Sequence, residues 1–379
     1  MNHRLMTEPF EGTTMLESGK ISHIQFSILV ALYVIGSSIL LMPSAFVAKA
    51  NQDAWLAAIL GVGISTLFVL LYNALGSSFP TLTLAEYNEK ILGKWLGKFI
   101  SLLYFTYFFL ISALVLRNMG DFIVTHILRD TPIGIIEIIF LLVVIMGVHL
   151  GLETFSRTSE LVFPWVVLLF FMLVVFLIPQ IKFLNFQPIL EKGIKPVING
   201  SLPYIGTPTL ELVAFLMLFP YVNRTKNSKR AFLVGNVIGG TALIIVTMLS
   251  VFVLGVTLTS SEIYPTYILA TKINVGNFLE RIEAVVAVLW IFTIFIKLTV
   301  CFYASSLCLA QTLNLKEYRF LLVPLGMVMV ALSLVAYPNS VYFQTMIGSI
   351  WFPYAFIYGG IIPIVLLLVG KLRKLPKSP

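Results

Sequence analysis

Residues 22–48 read SHIQFSILVALYVIGSSILLMPSAFVA, and residues 192–223 read KGIKPVINGSLPYIGTPTLELVAFLMLFPYVN. Both stretches are long and apolar, and each is interrupted in its middle. Gly36-Ser37-Ser38 breaks the first and Gly206-Thr207-Pro208 the second. A break in a lipid-embedded helix leaves backbone N–H and C=O groups without partners. It is tolerated only where it faces protein, water or a ligand. The two stretches occupy matching places in the two halves of the chain, a pattern that points to a binding site near the bilayer midplane.

Composition places the whole chain in a membrane. Hydrophobic residues make up 59% of its 379 residues and charged residues 11%, against about 25% charged in a soluble domain. Mean hydropathy is +0.97. Apolar runs of about 20 residues, each enough to cross a ~30 Å hydrocarbon core, recur throughout. A soluble protein with buried helices is excluded, because these runs lack a polar face. The net charge of +8 does not imply nucleic acid, since the basic residues flank apolar segments.

Ten spans are predicted, at 22–48, 54–79, 96–128, 133–152, 158–178, 192–223, 229–258, 278–311, 319–337 and 343–371. With the N-terminus placed inside, 16 of the 25 basic residues fall on the inner side and 7 on the outer. Arg117 and Lys297 lie within spans. That is the asymmetry which orientation by positive charge produces. The first 21 residues are polar and the first apolar run is too long for a signal-peptide core, so no cleaved leader is expected.

Five spans occupy 22–178 and five occupy 192–371. An odd number per half inserts the halves in opposite orientation. The expected fold class is an all-α polytopic membrane protein, a five-plus-five inverted repeat with its first and sixth spans broken. Cytoplasmic tails are expected at 1–21 and 372–379, flanking a membrane domain at 22–371. Thr81–Gly93 and Ser261–Asn274 occupy corresponding connections. Each is polar, short and amphipathic, and predicts a surface helix.

Several residues are candidates for chemistry. Gly36 permits unwinding and close approach, Ser37 and Ser38 add hydroxyls, and Pro43 lacks an N–H. Thr207 precedes Pro208 and so avoids the α region. N–H groups freed at new helix starts suit a carboxylate, and freed carbonyls suit an ammonium or a metal cation. Together they fit a zwitterion such as an amino acid. The competing reading is a pair of kinks with no ligand.

Glu211 follows the second break by one turn, and Lys297 lies near the centre of the eighth span. A central charge costs at least ~2.5–3.5 kcal/mol on insertion scales, so each needs a partner, water or, as for a protonated Glu211, a shifted pKa. The sequence leaves open whether the two meet, and whether they serve a ligand or fix packing.

Arg117 and Asp121 share a helix face and predict an interfacial pair. Glu137, Glu153, Glu160, Glu280 and Glu283 fall near span ends and are read as solvated, and His149 as interfacial. Trp165, Trp290 and Trp351 are read as packing or interface-belt residues. Cys301 and Cys308 are about 10 Å apart along one helix, too far to bond. There is no phosphate-binding glycine loop, metal-spaced histidine cluster, nucleophile elbow or ATPase domain. No catalytic residue, cofactor or metal is expected, and the chain is not expected to be an enzyme.

Three segments carry a resemblance: Gln25–Pro43 (QFSILVALYVIGSSILLMP), Glu211–Asn223 (ELVAFLMLFPYVN) and Arg281–Tyr303 (RIEAVVAVLWIFTIFIKLTVCFY). In this order, with ten spans, the chain resembles the spore germination permease family, the GerAB-type B subunits of endospore germinant receptors. That family looks like a branch of the amino acid–polyamine–organocation transporter superfamily. The resemblance implies a LeuT-like fold and a receptor that binds a small nutrient, an amino acid by class. It implies a larger A subunit and a lipoprotein C subunit as partners in the spore inner membrane, with signalling by gated ion or water flow.

In that superfamily a cation site lies between the first and eighth spans, so the Lys297 ammonium is expected to stand in for the cation. Gly36, Ser37, Ser38, Gly206, Thr207 and Glu211 are the expected ligand residues, with Lys297 setting the conformational balance. Pro43, Pro208 and Pro220 are expected supports. The competing expectations are a proton-coupled amino acid or polyamine transporter, and an assembly partner with a vestigial pocket.

Overall fold

A computed structural model of the chain describes residues 16–17, 19–223, 225–273 and 283–373. The expected tails at 1–21 and 372–379 lie mostly outside these residues. So do Asn274, Glu280, Arg281 and the start of the predicted eighth span.

The first predicted span forms two helices, α1 (His23–Ile35) and α2 (Ser38–Ala50). α1 begins at Ser22, whose hydroxyl accepts the Gln25 N–H while the Gln25 side chain accepts the Ser22 N–H. This reciprocal cap satisfies two donors that a helix start leaves free. A short turn, Asn51–Asp53, leads into α3 (Ala54–Ser78). The predicted surface helix is α4 (Leu84–Leu92), capped in the same way by Thr83 and Glu86. α5 (Lys94–His126), α6 (Ile133–His149) and α7 (Leu152–Leu177) complete the first half. α7 starts well before the predicted limit at 158.

In the second half α8 (Lys195–Tyr204) runs into turns of changed pitch, described below. α9 (Thr225–Leu249) ends in a π turn, followed by α10 (Gly255–Ser261) and the second predicted surface helix, α11 (Pro265–Thr271). α12 (Glu283–Thr312) and α13 (Leu322–Val335) follow. The last predicted span is α14 (Ser340–Met346), α15 (Phe352–Phe356) and α16 (Ile362–Leu372), joined by π turns at Ile347–Trp351 and Ile357–Ile361. Six stretches are individually long and apolar enough to cross a bilayer, and His23–Ile35, Ile133–His149 and Arg319–Val335 are shorter apolar helices. Among the described residues there is no sheet. Ile21 and Val222 form an isolated parallel bridge.

α1 is the centre of the molecule, buried without interruption from Leu29 to Ile35. It lies directly on α9 because Gly235 and Gly239 present no side chain there. A Cβ on Gly235 would meet the Ser27 carbonyl, and one on Gly239 would sit 2.7 Å from Val34 Cβ. Small residues one turn apart let two membrane helices touch at the backbone. α6 and α7, by contrast, expose large apolar side chains such as Met146 and Phe171, as a lipid face does.

Glu137, expected to be solvated, is not. Glu137 is fully buried, and its Oε2 accepts the Ser333 hydroxyl at 2.6 Å. It stands near the end of its own helix, but α13 covers it. Arg117 and Asp121 do pair, at 3.1 Å, and Asp121 also accepts the Tyr337 hydroxyl at 2.7 Å. Cys301 and Cys308 are buried and free.

Candidate functional site

The first break is two residues wide. The Gly36 N–H still reaches the Leu32 carbonyl at 2.8 Å, but its φ of 15° and ψ of −122° take the chain out of the helix. Ser37 precedes α2, and Ser38 is already its first residue. The Gly36 carbonyl accepts the Thr293 hydroxyl of α12 at 3.4 Å. Lys297, one turn along α12, passes against Gly36. A Cβ at position 36 would lie 2.7 Å from Lys297 Cδ and 3.1 Å from its Cβ. The glycine is required for this close approach.

The second segment does not unwind. A π turn runs over Ile205–Thr209, and 3₁₀ turns follow at Leu212–Leu216 and Phe219–Tyr221. Pro208 has no N–H to give an α-helix, and a wider turn accommodates it. The expected interruption is therefore a change of pitch. Such a change leaves carbonyls to be satisfied, and tyrosines satisfy them. The Tyr33 hydroxyl lies 3.4 Å from the Glu211 carbonyl, and Tyr72 donates to the Gly359 carbonyl at 2.7 Å and lies 3.5 Å from that of Leu210. The Leu210 and Glu211 carbonyls, freed by the change of pitch and so expected to meet a ligand, are held by the protein. What this segment offers is side chains.

Glu211 and Lys297 meet. The ammonium lies 2.8 Å from Glu211 Oε2, 3.1 Å from Ser37 Oγ and 5.2 Å from the centre of the Tyr33 ring. The approach to Oε2 is off the line of a hydrogen bond, so the contact is ionic in character. Glu211 Oε1 accepts the indole N–H of Trp351 at 3.2 Å. Lys297 is 0% and Glu211 2% exposed. A buried pair of this kind stands only while both partners remain, because either one alone is an uncompensated charge.

A cavity of about 20 Å³ adjoins the pair, room for a single water. Ser37, Thr207, Glu211 and Lys297 all line it. The other expected residues do not. Ser38 is fully buried, and its hydroxyl has no partner among the described residues. Gly206 faces the last span, where a Cβ would sit 3.1 Å from Phe352 Cα. Gly36 acts on the site through Lys297 and Thr293.

Three contributors were not among the expected ligand residues. Trp351, read as packing, does pack on Tyr107 and Tyr354 but also holds the Glu211 carboxylate. Tyr33 spans the pair and the second segment. Asn118 of α5 lines the cavity, and its side-chain oxygen has no partner among the described residues. A lone amide inside an apolar span is the signal that could have found Asn118.

A buried polar site between two interrupted helices in opposed halves defines a transporter-like membrane protein. Solved structures share the fold. Mhp1, a nucleobase-cation-symport-1 family transporter in a closed conformation with bromovinylhydantoin bound, aligns with a TM-score of 0.67 at 11% identity, covering 92% of this chain and 78% of its own. MhsT in complex with L-phenylalanine aligns at 0.64 and 15% identity, covering 93% and 98%. The fold is thus the LeuT-like inverted repeat, with helix 1 broken and helix 6 changed in pitch at the matching place.

The chain belongs to the spore germination protein family, whose model matches residues 20–341. Spore germination protein KB of Bacillus subtilis (strain 168) is 30% identical, over 86% of this chain and 87% of that protein. Spore germination protein A2 of the same organism is 28% identical, over 94% and 96%. The protein is a multi-pass membrane protein of this family.

Proposed function

We propose that this chain is the B-type subunit of a nutrient germinant receptor, a non-enzymatic sensor that binds an amino acid near the bilayer midplane. The observation that carries the reading is the buried Lys297–Glu211 pair, set against a small cavity where the two interrupted helices meet. In a family of spore germination proteins, such a site suits recognition better than structure alone. Intramembrane charge is costly, and it marks functional positions.

Ligand binding favours one of two conformers, because the ligand fits one better than the other. The shift passes to an A subunit and a lipoprotein C subunit in the spore inner membrane, and gates ion or water flow. The chain crosses the membrane ten times, with both termini cytoplasmic. Lys297 holds its ammonium between the first and eighth spans, where relatives of this fold would hold a cation, and so sets the resting balance. Ser37, Thr207 and Glu211 contact the ligand.

A proton-coupled transporter is the second reading, favoured by the likeness to a symport-family structure. Vesicles containing only this chain separate the two. The receptor reading predicts saturable binding of an amino acid with no accumulation. Uphill accumulation under a proton gradient establishes the transporter. Spores of the source organism lacking this gene are expected to lose germination to a defined subset of amino acids, and an unchanged response overturns the receptor role.

A further inference from the structure

We infer that the Glu211–Lys297 pair is an internal stand-in for the ligand, and that binding exchanges it for two new pairs. The ligand's ammonium goes to Glu211 and its carboxylate to Lys297. The site then selects ligands that are zwitterionic and carry no net charge. This rests on the reading of the cavity as the nutrient site.

Space is the first argument. The cavity of about 20 Å³ holds a water, not an amino acid. The polar volume beside it is occupied by the pair itself. A ligand reaches Glu211 or Lys297 only as the two move apart.

Charge is the second. The pair is buried and sums to zero. A ligand with net charge adds an uncompensated charge to a buried site of low dielectric, which is strongly unfavourable. A zwitterion adds none, and each end finds an opposite partner already in place.

The third argument is that each member keeps a polar contact as the pair parts, while the ligand's two ends replace the lost opposite charges. Lys297 keeps the Ser37 hydroxyl at 3.1 Å and the Tyr33 ring at 5.2 Å. Glu211 keeps the Trp351 N–H at 3.2 Å.

Finally, two more polar atoms on the cavity wall lack protein partners among the described residues: Thr207 Oγ1 and Asn118 Oδ1. Asn118 is 1% and Thr207 6% exposed. Both can accept a hydrogen bond, as an ammonium requires.

The test is a charge-matching matrix on the purified full chain in lipid nanodiscs. Wild type is first titrated with the twenty standard amino acids. The tightest is then compared with its amide, its deaminated acid and its deaminated amide. Wild type is expected to prefer the zwitterion. Lys297→Met should prefer the amide, which keeps only the ammonium. Glu211→Gln should prefer the deaminated acid, and Glu211→Gln/Lys297→Met the deaminated amide. Each reversal is expected to be at least tenfold.

If a single variant is not made, the double variant decides, since it buries no orphan charge. A double variant that still prefers the zwitterion overturns the exchange. So do single variants that keep the wild-type order or lose all four forms alike, and in those cases the nutrient site itself stands. A wild type that binds none of the twenty overturns the nutrient reading and the exchange with it.

Discussion

The two interruptions look equivalent on paper and are built differently. At Gly36 the helix stops, turns through two residues and restarts. At Pro208 it never stops. It widens into a π turn and then tightens into 3₁₀ turns. The first break makes room, because without a Cβ the stem of Lys297 can lie against it. The second aims a side chain, bringing Glu211 to the Lys297 ammonium while tyrosines hold the Leu210 and Glu211 carbonyls. A glycine break and a proline pitch change thus supply the two halves of one site: space from one, charge from the other.

That division can be broken experimentally. The largest effect is expected at the charge. Glu211→Ala leaves Lys297 buried and alone and should destabilise the protein by about 3–5 kcal/mol. Glu211→Gln/Lys297→Met, which removes both charges, should cost far less. Unfolding in detergent, followed by helical circular dichroism, checks both.

Next is the space. Gly36→Ala crowds Lys297 and should cost about 1–3 kcal/mol. In a Lys297→Ala background the same change should cost less, and a double-mutant cycle reads the coupling directly. If the glycine served only the turn, the cycle would show none.

Third is the carbonyl support. Tyr72→Phe leaves the Gly359 carbonyl without its hydroxyl and should cost about 1–3 kcal/mol. Hydrogen exchange over 205–216 and 357–361 should rise together, because Tyr72 joins them. Tyr33→Phe, which breaks a longer contact, should do less.

The smallest effect is expected at Gly206→Ala. Its Cβ would press on Phe352 Cα at 3.1 Å, so α15 must give by a few tenths of an ångström. Nutrient response should survive, unlike that of Gly36→Ala. A response lost equally in both would erase the distinction between the two breaks.

The fold was legible in the sequence because lipid imposes length and polarity constraints that a single chain records. The apolar runs, the basic asymmetry and the surface helices at 84–92 and 265–271 all follow from that. The position of both interruptions was also legible, from Gly36 and Pro208. The shape of the second was not. A proline says that an α-helix cannot continue, and says nothing of the turn that replaces it.

The segmentation of the last span went unread, although Gly348, Pro353 and Gly359-Gly360 lie in it. The burial of Glu137 and the bond of Trp351 to Glu211 escaped the sequence for one reason. Their partners, Ser333 and Glu211, are distant in sequence, and position within one's own helix does not report a neighbour's reach. The meeting of Glu211 and Lys297 is likewise a tertiary fact.

Most direct is equilibrium dialysis of the purified chain against radiolabelled amino acids, with wild type beside a Ser37→Ala/Thr207→Val variant. That variant alters the cavity wall and leaves both charges in place. Saturable binding by wild type, weakened at least tenfold in the variant, is the predicted result. Saturable binding that the variant leaves unchanged, or none by wild type, would contradict a ligand site at the junction of the two interrupted helices.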